Sequence, residues 1–126
     1  HLPEDRLDWS PGEGARSARS QLLECAAAPL LHVPLIQGDP NPYAGAPHAA
    51  YRDAVAALAP LSLDDLLSEA RRRHEPLVAA LRALSDTDLT TPRPVPFGEG
   101  ATMTGADLLF LPHWNLVYHT GQINYL

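Results

Sequence analysis

The chain has 126 residues, 45% hydrophobic and 19% charged, with a formal net charge of -6 and a pI of about 5.3. That length makes one domain, 1–126, able to bury about two-thirds of the surface its unfolded chain exposes. The acidic balance argues against nucleic acid or an anionic membrane as partner, and no run reaches the ~18 apolar residues that span a bilayer.

Cys25 is the single cysteine. An intrachain disulfide is therefore excluded, and a reducing, cytoplasmic setting is expected. Aromatics make up only 6% of the residues, so the core must be built mainly from Leu, Ala and Val. The chain opens at His1 and stops at Leu126 inside an apolar run, which predicts further sequence beyond both ends.

In chain order, the stretch from His1 to Gly14 reads as the end of a helix and a turn at Trp9-Ser10-Pro11-Gly12. Ser17 is a candidate N-cap for a helix starting near Ala18. Leu22, Ala26, Pro29 and Val33 recur at helical spacing, and Pro29 should kink or interrupt that helix because it removes a donor and crowds the preceding turn. Gln37 to Pro47 reads as a loop, which places His48 in irregular backbone. A short helix follows, from about Ala49 to Leu58.

The clearest helix runs from Leu63 to about Leu84. Ser62 caps it, with Asp65 as the capping-box acid. Leu66, Ala70, Leu77, Leu81 and Leu84 make its apolar stripe, widened by Leu67 and Val78, and Pro76 should bend it. On this helix Arg71, Arg72 and Arg73 are flanked by Glu69 and Glu75, which reads as a solvated face. Thr90 to Gly100, broken by Pro92, Pro94 and Pro96, reads as an extended connector. The last helix opens at Thr104 with Asp107 as its acid, and Pro112 allows a kink. No segment alternates with period 2, so no sheet is expected.

Six histidines occur. No pair is spaced i and i+4, the spacing that puts two helical ligands on one face. His113 and His119 lie about 240° apart around an ideal helix. Asn115 and His119 do share a face, and Gln122 extends it into a polar strip on an otherwise apolar helix. Such a strip needs a polar cavity, a ligand, a metal or an internal hydrogen-bond network. Glu24 sits among Leu22, Leu23 and an alanine run, either facing solvent or reaching a site. Cys25 beside it reads as a small core residue. His32 and His74 read as surface or half-buried histidines. There is no phosphate loop, nucleophile elbow or His-Glu-x-x-His.

The segment Leu111-Pro112-His113-Trp114-Asn115-Leu116-Val117-Tyr118-His119-Thr120-Gly121-Gln122-Ile123 resembles the last-helix signature of the DinB (YfiT-like) superfamily. Leu7-Asp8-Trp9-Ser10-Pro11 with Ala15-Arg16-Ser17 resembles that family's passage from first to second helix. The resemblance spans nearly the whole chain. It implies an all-α four-helix bundle with long crossover connections, often dimeric. It also implies a divalent metal held by three histidines, one from the second helix and two from the last, and in some relatives a thiol-dependent transferase or isomerase activity.

In this sequence only His119 matches a ligand. Asn115 stands at its i-4 partner's position and Glu24 at that of the second-helix histidine. Glu24, Asn115 and His119 are thus the candidate metal set, for zinc, nickel or manganese, and His113 and Gln122 are the candidates for contacting a cofactor. Asn is a weak neutral ligand for borderline metals. Two functions follow as expectations: a metal-dependent hydrolase or transferase with an altered site, acting on a small-molecule or thiol substrate, or a non-catalytic, metal-free binding or dimerisation module.

Overall fold

A computed structural model describes residues 3–126. A 3-10 turn, Glu4–Arg6, leads to the buried Leu7. Ser17 then caps α1, Ala18–Ala27, by accepting from the Ser20 N–H. As expected, the helix is interrupted at Pro29, which takes the first position of α2, Pro29–Ile36. A proline is tolerated there because the missing N–H would have no intrahelical partner.

The next helix corrects the sequence reading. α3 spans Gly45–Leu58, so it begins upstream of Ala49, and His48 is helical and not in a loop. Pro47 does not prevent this, because it lies in the first turn, where backbone donors are unpaired in any helix. α4, Leu63–Arg82, carries the Ser62 cap and accommodates Pro76 in its interior. Leu66 and Leu77 are its buried positions.

Two further elements escape the sequence reading. α5, Asp86–Thr90, is held by a capping box between Ser85 and Asp88. The proline-rich connector also contains a minimal antiparallel ladder, β1 (Arg93–Pro94) against β2 (Thr102–Met103). The expectation of no sheet fails here because two-residue strands are too short to show any period. Arg93 anchors the ladder, donating to the Ile36 carbonyl at 2.9 Å and to Asp88 Oδ1 at 2.8 Å. α6, Gly105–Tyr125, opens on the Thr104–Asp107 capping box. Its first residue must be glycine: a Cβ on Gly105 would lie 2.5 Å from the Asp88 carbonyl oxygen.

The architecture is all-α apart from that ladder. α1 packs on α4, α6 and α3, while α2 packs on α4, α3 and α6. Two apolar cores result. One joins Leu35, Ile36, Leu77, Val95 and Leu108. The other joins Ala26, Leu58 and Leu66. The α1–α6 seam lies outside both, and polar side chains fill it. No described helix is long and apolar enough to cross a membrane.

Candidate functional site

His119 projects from the second half of α6 and is only 2% exposed. A buried imidazole needs partners for both nitrogens, and α1 supplies them. Gln21 and Glu24 are one turn apart on the same face of α1. Nε2–H of His119 donates to Glu24 Oε1 at 3.0 Å, and Nδ1 is hydrogen-bonded to the side-chain amide of Gln21. Gln21 is itself 2% exposed.

The second carboxylate oxygen of Glu24 meets Arg16 Nη1 at 2.6 Å. Arg16 in turn is fixed on the opening turn of α1, donating to the Ser20 hydroxyl and to the Ser20 carbonyl, each at 3.0 Å. Arg16, Glu24, His119 and Gln21 therefore form one continuous chain. Burial alone would raise the Glu24 carboxyl, but the hydrogen bond and charge of Arg16, with those of His119, outweigh it. The acid is held below its ordinary value and is ionised at neutral pH.

Cavities flank this chain on both sides. One, of about 240 Å³, is lined by Glu24, His32, Tyr43, His48, Tyr51 and Asn115, among others. The other, of about 570 Å³, lies where Arg16, Gln21, Tyr118 and Gln122 come together. Gln122 donates through Nε2 to the Tyr118 hydroxyl at 2.8 Å, while its Oε1 is buried without a partner.

Of the residues singled out in the sequence, Glu24 and His119 touch, Asn115 shares the smaller cavity with Glu24, and Gln122 lines the larger one. His113 is exposed and lines neither cavity. Arg16 and Gln21 were missed as site residues. The available signal was Gln21 one turn before Glu24, a polar pair inside an apolar segment.

His32 needs a correction. Expected at or near the surface, it is 8% exposed, because the apolar face of Leu31, Leu35 and Ile36 drives α2 between α3, α4 and α6. Its Nδ1 is buried with no hydrogen-bond partner. Desolvation, helped by the nearby His74, lowers its pKa to about 4, so the ring is neutral at physiological pH. Cys25 is buried as expected. Desolvation and the Glu24 charge push its thiol up to about 11, which removes it as a nucleophile.

As they stand, these residues form a hydrogen-bonded chain and not an open set of metal ligands. A histidine ligand must present a free ring lone pair, and both nitrogens of His119 are engaged by protein groups. Glu24 already has a cation, the Arg16 guanidinium, on its second oxygen. Among the described residues, no group of three His, Cys, Asp or Glu side chains is placed to hold a metal ion.

No curated protein and no solved structure matches the chain. The family model described as the DinB superfamily matches residues 1–123, nearly the whole chain. With the all-α fold in agreement, this match establishes that the chain belongs to the DinB superfamily.

Proposed function

We propose that this chain is a metal-free member of the superfamily that works as a small-molecule binding module. In this reading a hydrogen-bonded chain occupies the place where relatives hold a metal. The observation that carries it is the double engagement of His119 by Gln21 and Glu24, with Arg16 closing the far side of the carboxylate. Arg16 supplies the positive charge that a metal would otherwise supply to Glu24. The four side chains fix α1 against α6 and so keep the adjacent cavity open. The reading places the protein in the cytoplasm, on the strength of its lone buried thiol. It also includes a homodimer, since Phe110, Trp114 and Val117 leave an uncharged, exposed stripe on α6.

Metal analysis of untagged protein by inductively coupled plasma mass spectrometry tests the reading. The expected result is substoichiometric zinc, nickel and manganese, both as purified and after incubation with each ion and desalting. Near-stoichiometric metal that is lost in His119→Ala would overturn it in favour of a metal-dependent hydrolase or transferase.

A further inference from the structure

The smaller cavity has a consistent chemistry. Its polar lining is one carboxylate, Glu24, with the Asn115 amide, the Tyr43 and Tyr51 hydroxyls and the His32 and His48 rings, every one of which can offer an acceptor atom. His32 contributes a neutral ring whose Nδ1 is more than nine-tenths buried with its residue and has no protein partner. A buried polar atom left without a partner is costly, and the same burial keeps this ring uncharged.

No lysine or arginine lines this cavity; Arg16 reaches Glu24 from the opposite cavity. Two hydrogen bonds leave the carboxylate with spare acceptor capacity, since it carries roughly four acceptor positions. The Glu24 charge raises the pKa of Tyr43 and Tyr51, in addition to desolvation, and at Tyr51 it outweighs Arg16. Glu24 is thus the ionised side chain of this lining, and no basic Lys or Arg faces it there. Two tyrosine rings complete the walls, and aromatic faces attract cations. A volume of about 240 Å³ is below the roughly 300–1,000 Å³ of drug-sized sites, so the occupant is small.

Resting on the binding-module reading, we propose that this cavity binds a small primary amine in its ammonium form. The ammonium has three donors, no acceptor and a positive charge, which suits one ionised carboxylate with further acceptor atoms and two aromatic side chains beside it. It differs from a divalent metal in what it asks of the site. It needs only unused lone pairs at hydrogen-bond distance, and leaves the His119–Glu24 and Arg16–Glu24 contacts intact. A carboxylate ligand would meet Glu24 as a like charge, and a neutral alcohol would lack the charge that Glu24 attracts.

The test is calorimetric and NMR titration of the metal-free protein with propylammonium, propanol and propionate, at mildly alkaline pH where imidazoles are neutral. Propylammonium should bind with shifts confined to the Tyr43, Tyr51 and His32 rings, and propanol and propionate should not. Glu24→Gln should weaken binding about tenfold or more, as expected for a hydrogen bond to a charged group. Tyr51→Leu, which leaves the Arg16–Glu24–His119 chain in place, should weaken it several-fold. The circular dichroism of each variant reports whether it is folded. Equal or tighter binding of propanol or propionate would overturn the proposal while leaving a binding module standing. No binding of any of the three, or unchanged propylammonium affinity in a folded Tyr51→Leu protein, would also overturn it. Failure of the metal-free reading shows up separately, in the metal analysis.

Discussion

The two ends of α6 solve the same packing problem with opposite chemistry. At the N-terminal end, Leu108 is fully buried against Leu35, Ile36, Leu77 and Val95, and a capping box settles the first turn. Three turns later His119 is buried almost as completely, but against Gln21 and Glu24. The dry end is held by shape and the hydrophobic effect, which tolerate small displacements. The polar end is held by direction, and each member costs its neighbours a partner when it is removed. A helix pinned in this way fixes its register at one end and contributes most of its stability at the other. The polar end is therefore the place to look for function.

Substitution at the dry end should have the largest effect on folding. Leu108→Ala is expected to lower the free energy of unfolding by about 3–4 kcal/mol, because it opens a cavity in a tightly packed core. Denaturant titration measures it, and a loss under about 1 kcal/mol would mean that this core is less closely packed than its burial implies.

Acid should act almost as strongly through His32 of α2, which lines the cavity beside the polar end. His32 titrates near 4 when folded and near 6.5 when unfolded, so the unfolded chain binds the extra proton between those values. Stability is then fully present above about pH 6.5 and falls as pH drops toward 4, by an amount on the order of 3 kcal/mol. Glu24, with its lowered folded value, adds a loss of the same sign at lower pH. Comparing the pH dependence of unfolding in wild type and His32→Leu isolates the imidazole. An unchanged slope in the variant would show that His32 does not carry the effect.

A smaller change is expected for His119→Leu, which retains bulk at the seam but leaves Gln21 and Glu24 without their shared partner. About 2 kcal/mol of destabilisation follows from the stranded polar groups. If the variant were instead as stable as wild type, the polar end would be carrying little of the helix's attachment, and the contrast between the two ends would dissolve.

What could be read from the sequence follows the same division. The caps at Ser17, Ser62 and Thr104, the interruption at Pro29 and the stripe containing Leu66 and Leu77 are local patterns, and each is present in the structure. The Ser85–Asp88 box was equally local but was passed over, because α5 is too short to show any apolar period. Glu24 and His119 could be picked out as polar residues in apolar helices. Their direct contact spans 95 positions in the chain, and no periodicity encodes a pairing at that range. Arg16 and Gln21 join the site only because α1 lies along α6. The burial of His32 likewise depends on which helices surround α2, and its immediate neighbours Leu31 and Val33 do not specify that.

The aromatic residues outside the core have a spectroscopic consequence. Trp114 is 61% exposed and stacked on Tyr118, and Trp9 is 40% exposed beneath the Arg6 guanidinium. Both indoles, the only two in the chain, therefore lie outside the two apolar cores, with Trp114 on the stripe proposed to meet a second copy. Neither packs in the Leu108 core, so their emission responds only indirectly to loss of that core. What it does register is quenching or release of quenching at the surface, so the native fluorescence of this protein reports on what approaches the outer face of α6.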